Sequence, residues 1–356
     1  MPVNETLGAW SELFMLLAAM TYLVGFVAFA WDMASHSKAL RGTAADGERE
    51  LVGAAARAGS HEASEPADAR AGHGTGHRGR GYRTGAQSAL AGHVADEQMR
   101  YTGQRRPAAR VAVAVMVLAF LVHTAAVLSR AFAAGRVPWG NMYEFCTTGA
   151  LVVAGVYLLA LLARDLRFVG TLVSGLVVIM LCAATIGFPT PVGPLQPALQ
   201  SWWLVIHVSI AVAASGVFTI TFAMAVLQLL QARRERAILA GEAPRMDFLR
   251  MVPSAQALEN LSFRLNAVGF AFWTFTLAAG AIWAEQAWGR YWGWDTKEVW
   301  TFVIWVVYAA YMHARATRGW TGTRSAWLSI AGYLCIVFNF TVVNTLFAGL
   351  HSYAGV

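Results

Sequence analysis

The sequence predicts an all-α integral membrane protein, a bundle of about eight transmembrane helices with both termini on the outer side. Three observations lead there. Hydrophobic residues make up 57% of the chain and charged residues 13%, against roughly 25% charged in a soluble domain. Eight segments are each apolar over about 20 residues, the length of helix that crosses a bilayer. Lysine and arginine are concentrated in alternate gaps between those segments.

The first apolar run is Trp10–Trp31. Glu5 and Glu12 are the only charges before Asp32, so it lacks the basic start of a secretion signal and reads as a retained span. Residues 32–108 follow, rich in Ala, Gly, Arg and acidic residues, with few large apolar ones. Such a composition predicts a disordered cytoplasmic loop. His73 and His77 lie inside it with no converging ligands and predict no metal site. From 109 to 356 the chain predicts a seven-helix domain. Its spans are Ala109–Ala134, Phe145–Ala163, Phe168–Phe188, Trp202–Gln231, Leu265–Glu285, Glu298–Ala314 and Ala326–Ala348. Four prolines between 188 and 203 forbid a regular helix there. The gap at 232–264 opens with "RRER", and Ser254 is placed to start a helix feeding the next span.

The odd-numbered gaps hold 22 of the 27 lysines and arginines, which makes them cytoplasmic and leaves both termini outside. The sequence pI of about 9.6 is this asymmetry, and no nucleic-acid partner follows from it. The three cysteines fall within or beside apolar spans and form no C-x-x-C, which argues against thiol-disulfide chemistry.

The chemistry concentrates outside. Six of the fourteen tryptophans lie between Trp283 and Trp305. Interfacial anchoring accounts for some of them. Trp288, Trp292 and Trp294, set among glycines in one outer loop, also suit a planar apolar ligand, with Asp295, Lys297 and Glu298 beside them. A histidine in a span is costly unless it faces a partner or a cofactor. His207 lies about 7 Å into its span and His351 follows the outer end of the last one, so the two share one outer depth. Paired imidazoles across a planar macrocycle are the geometry of bis-histidine haem ligation. His313 lies roughly 22 Å further down its helix, too far to share that ligand. His123 is mid-span and reads as structural.

The string "AWGRYWGWDTKEVW" at 287–300 resembles the WWD signature of membrane haem-handling proteins. "GRVPWGNMYEF", "WWLVIHVSIA", "VYAAYMHAR" and "NTLFAGLHSYA" resemble further segments of the same family, CcsA/ResC (also called CcsB), the cytochrome c biogenesis proteins of System II. The resemblance covers about 110–356. Thr296 departs from it, standing where the family has proline. The resemblance implies that His207 and His351 are axial ligands of an outer haem b, bound non-covalently as substrate or intermediate. Trp288, Trp292, Trp294 and Asp295 would form its platform, and His313 would ligate a haem within the membrane. It implies a ResB-type membrane subunit, an apocytochrome c with a C-x-x-C-H motif and a thiol-reducing protein as partners. The chain would then be a subunit of a cytochrome c synthase complex in the plasma membrane, with the WWD loop extracytoplasmic. An electron-transfer b-type cytochrome and a transporter of another substrate are the alternatives.

Overall fold

Helix ends follow from local chemistry. In the computed structural model, which describes residues 3–62, 96–101, 106–242, 246–317 and 319–351, nine α-helices account for most of the described chain. They are α1 (Glu5–Glu62), α2 (Pro107–Ala134), α3 (Met142–Ala163), α4 (Gly170–Cys182), α5 (Ser209–Leu239), α6 (Ala255–Trp288), α7 (Thr296–Ala316), α8 (Thr323–Phe340) and α9 (Val342–Leu346). Pro107 opens α2, where a missing N–H costs nothing. Asn141 caps α3 by accepting from Glu144 N, and Ser254 caps α6 by accepting from Ala257 N.

Among the described residues, seven segments are long and apolar enough to cross a membrane: Glu5–Ser35, Pro107–Ala134, Met142–Ala163, Arg167–Gly187, Leu204–Leu239, Ala255–Trp288 and Thr323–Leu346. The expected span at Glu298–Ala314 does form a helix, α7, but is not among the seven. Its tryptophans, tyrosines, His313 and Arg315 dilute its hydropathy. Helix α7 completes the bundle with these seven, running from the Asp295 cap at one end to His313 at the other.

Two parts of the tract expected to be disordered are described. Helix α1 continues to Glu62, about 30 residues past the predicted end of its span. Residues 96–101 dock on the bundle: Met99 is buried, its carbonyl accepts from Asp165 N at 2.7 Å, and Arg164 Nη1 donates to the Gln98 carbonyl at 2.6 Å. Arg106 pairs with Asp32. His73 and His77 lie outside the described residues.

Helix α5 is the axis of the bundle. In its apolar window 72% of residues are buried, against 28–44% in the other spans. It touches α3 on one side and α6 and α8 on the other. Lipid gives helices little hydrophobic reason to associate, so close approach and interhelical hydrogen bonds do the holding. Phe218 stacks on Tyr308 at 3.8 Å. Thr221 donates to Asn266 at 2.6 Å, Asn266 to Ser329 at 3.1 Å, and Thr219 to Tyr333 at 3.1 Å. Each such bond contributes about 0.6–2 kcal/mol. The start of α1, the loops 135–141 and 188–203, the loop 289–295 and His351 share one end of the bundle, as Asn4 N to Ala133 O (3.0 Å) and the Trp288–His351 contact require.

Candidate functional site

His207 sits in a π-helical turn, Leu204–Val208, that leads into α5. Such turns carry one extra residue and occur frequently at functional sites. Its Nδ1 lies 3.1 Å from the Thr276 carbonyl of α6. A carbonyl can only accept, so Nδ1 carries the proton and Nε2 keeps its lone pair. Trp283 meets the imidazole edge-on at 5.6 Å. Gly280 makes this approach feasible, since a Cβ there would stand 2.7 Å from His207 Cε1.

Helix α6 stops at Gly289, whose φ of +70° favours glycine. Helix α7 restarts at Asp295 through a capping box with Glu298. Glu298 Oε2 accepts from Gly293 N at 2.8 Å and Asp295 N at 3.1 Å, which folds the tryptophan loop back on α7. Asp295 accepts from Lys297 N at 2.9 Å and from Leu350 N at 2.7 Å. Its Oδ2 stands 3.4 Å from His351 Nδ1, a long contact. The His351 imidazole beside it, then the amides of Lys297 and Leu350, hold the Asp295 carboxyl well below the usual carboxylate range against the opposing effect of burial. Asp295 thus fastens the C-terminal segment, and His351 with it, to the head of α7.

These elements surround a cleft of about 100 Å³, lined by His207, His351, Trp273, Trp283, Trp288, Trp292 and Lys297. An adjoining space of about 130 Å³ extends it past Trp139, Phe145, Leu199 and Asn344, sharing both histidines, Trp288 and Lys297. Trp288 packs edge-on to His351 at 4.8 Å. Lys297 Nζ donates to the Asn339 carbonyl at 3.0 Å and Asn344 Oδ1 at 2.7 Å, over the Phe340 ring. Trp283 Nε1 and Asn339 Oδ1 are buried on the lining with no hydrogen-bond partner among the described residues.

The opposite wall rests on Glu144, which is fully buried. It pairs with Arg130 at 3.0 Å and Arg136 at 2.7 Å and accepts from Gly140 N at 2.7 Å. The same arginines donate to the carbonyls of Thr190 (2.7 Å), Pro191 (3.2 Å) and Gly193 (2.7 Å). The proline-bearing loop cannot satisfy its carbonyls in a helix, and this pair of guanidinium groups does it instead.

The structure therefore brings together His207, His351, Trp288 and Trp292 on the cleft wall, with Asp295 behind His351. Trp294 is 77% exposed at φ +59° and packs edge-on to Trp292 at 5.9 Å, away from the residues that line the cleft. His313 is exposed in the last turn of α7, at the other end of the bundle. His123 is fully buried, with Tyr22 Oη 3.4 Å from its Nδ1, and lines none of this space. Sequence reasoning did not single out Glu144, Gly280, Thr276 or Asn344. Glu144 could have been suspected, because a carboxylate at the head of an apolar span needs a partner.

The fold and site define a class, a multi-pass all-helical membrane protein with a tryptophan- and histidine-lined cleft at one end. A model of the family described as Cytochrome C assembly protein matches residues 114–351. The chain is 34% identical over 253 residues to the cytochrome c biogenesis protein CcsA of Guillardia theta, covering 67% of this chain and 83% of that protein. It is 36% identical over 270 residues to CcsA of Prochlorococcus marinus (strain MIT 9313), covering 68% and 84%. The solved structure of the cytochrome c haem lyase CcmF superposes with a TM-score of 0.50 at 19% identity, covering 80% of this chain and 52% of that one, a likeness of fold. The chain belongs to the cytochrome C assembly protein family, and its role lies in cytochrome c biogenesis.

Proposed function

We propose that this chain holds haem b in the outer cleft and presents it for covalent attachment to apocytochrome c, as a subunit of a System II synthase complex with a ResB-type partner. The observation that carries the reading is the convergence of His207 and His351 on one cleft with Trp288 and Trp292. The donor set fits the group. His207 has Nδ1 committed to a carbonyl and Nε2 unprotonated, and His351 has Nδ1 turned to a carboxylate, the outer-shell pattern of metal-binding histidines. Indole faces suit the macrocycle. The Lys297 ammonium and the orphaned Trp283 N–H suit its carboxylate edge.

Haem would supply the iron and the vinyl groups to which the thiols of a C-x-x-C-H motif add. This chain's residues do the rest. His207 and His351 hold and orient, Asp295 fixes the His351 tautomer, and the proline-bearing loop and tryptophans exclude water. The lysine and arginine distribution supports a cleft on the extracytoplasmic side of the plasma membrane, together with the start of α1. His313, exposed on α7, suits a second haem shared with the partner subunit. A thiol-reducing protein would keep the client's cysteines available.

The test is the visible absorption spectrum of the chain purified with its partner, beside a His207→Ala/His351→Ala double variant. Low-spin haem b bands that weaken in the double variant are expected. A folded wild-type complex without haem, or bands unchanged in the variant, would overturn the reading.

A further inference from the structure

Helix α5 packs against both α3 and α8, whereas α4 and α8 share no extensive contact among the described residues. The gap between them holds a cavity of about 350 Å³, against about 100 Å³ for the cleft. Its walls are mostly apolar side chains of α3, α4, α5 and α8. The hydroxyls of Ser215, Thr219 and Thr341 on that wall each donate to a carbonyl one turn back, at 2.8, 2.8 and 2.6 Å, so they offer a polar ligand little. Ile179 on α4 and Leu334 and Val337 on α8 line the cavity and are themselves exposed, so it opens sideways on a surface that faces lipid. Val337 lies nine residues before Leu346, the end of its span beside the cleft, or about 14 Å at 1.5 Å per residue.

Met142, Phe145 and Phe340 line both this cavity and the extension of the cleft. The rings of Phe145 and Phe340 stack at 4.6 Å across the space between α3 and α8 and form the partition. Rotation of the two side chains would join the two spaces without moving a helix. On the cleft side of the partition stands Lys297, its Nζ 4.7 Å from the centre of the Phe340 ring. An apolar chamber open to lipid, a partition of two rings and an ammonium behind it suit a flat apolar molecule with an anionic edge. Haem in a bilayer is such a molecule, with its macrocycle among the acyl chains and its carboxylates kept at the headgroups. We infer that the gap between α4 and α8 is the door through which haem enters the outer cleft directly from the bilayer, past Phe145 and Phe340. The door rests on the reading of the cleft as a haem site.

The experiment mixes the haem-free chain, in nanodiscs with its partner subunit, with phosphatidylcholine vesicles that carry haem, and follows the growth of the low-spin bands in time. Ile179→Trp and Val337→Trp each set an indole in the doorway, and neither residue lines the cleft. Each should slow loading by about tenfold or more and leave the final haem content at the wild-type level. Phe145→Leu, which thins the partition, should speed loading. Rates unchanged in both tryptophan variants would overturn the inference. So would unchanged rates with loss of a co-purified phospholipid, read by native mass spectrometry, because the cavity would then belong to lipid. If Val337→Trp does not fold, Ile179→Trp on the opposite rim decides. A wild type that takes up no haem removes the reading of the cleft and the door with it, whereas uptake at a rate indifferent to the rim removes the door alone.

Discussion

The two walls of the outer cleft are fastened by different means. The wall made by the proline-bearing loop is fixed through a fully buried carboxylate, Glu144, shared by two arginines that also satisfy three loop carbonyls. The wall made by the tryptophan loop and the C-terminal segment is held by Asp295, which joins His351 and Leu350 N at a part-exposed clasp. One wall cannot open without stranding buried charge, whereas the other can release by breaking a few contacts that water can replace. A site that holds haem for delivery, as proposed, gains from that asymmetry.

The comparison is broken most severely at Glu144. Glu144→Gln leaves two arginines short of a charge partner, and the expected loss is about 3–5 kcal/mol, read as a lowered melting temperature and earlier proteolytic nicking between residues 188 and 200. A wild-type melting curve would mean this wall is anchored elsewhere. Gly280→Ala should act next, through the site. Its Cβ would crowd His207, so haem retention in the purified complex should fall at least several-fold while stability changes by about 1–3 kcal/mol. Asp295→Asn should cost about 1 kcal/mol, allowing for solvent screening, and should speed hydrogen exchange in residues 347–351. The sign with pH follows from the depressed carboxyl. Its contribution is complete above the unfolded value of about 3.9 and is lost as pH falls through the lower folded value, so the clasp should survive to about pH 4 and the Asp295→Asn difference should vanish below it. Trp294→Gly should do least. It relieves a positive φ worth about 1 kcal/mol and leaves haem retention near wild type, because the ring is off the wall. A strong loss of haem in Trp294→Gly would show that the exposed ring meets a ligand or partner.

The spans were legible because lipid imposes one rule, about 20 apolar residues with every backbone group satisfied. The rule worked least well for α7, where aromatic and basic residues mix along one helix. It said nothing of the continuation of α1. There Ala, Glu and Arg favour helix by propensity, while the low hydrophobicity of the tract argued for disorder. In the site, His207 and His351 could be paired because depth along a helix is a simple count. The support of His207 could not be read. Thr276 and Gly280 lie about 70 residues away and matter only through the rotation of α6 against α5. Nor could composition tell that Trp294 turns outward while Trp288 and Trp292 turn in, since one positive φ decides it.

The π turn before α5 sets the bearing of His207 by an odd residue rather than by any bond. A π turn absorbs one extra residue while the helix on either side keeps its phase, so removing a single residue between Trp203 and His207 would let the turn wind regularly and re-aim the imidazole away from the Thr276 carbonyl. The helix would remain intact and apolar, and the flanking segments would stay in register. The length of this turn, counted in residues, is therefore as much a specification of the cleft as the identity of the histidine it carries.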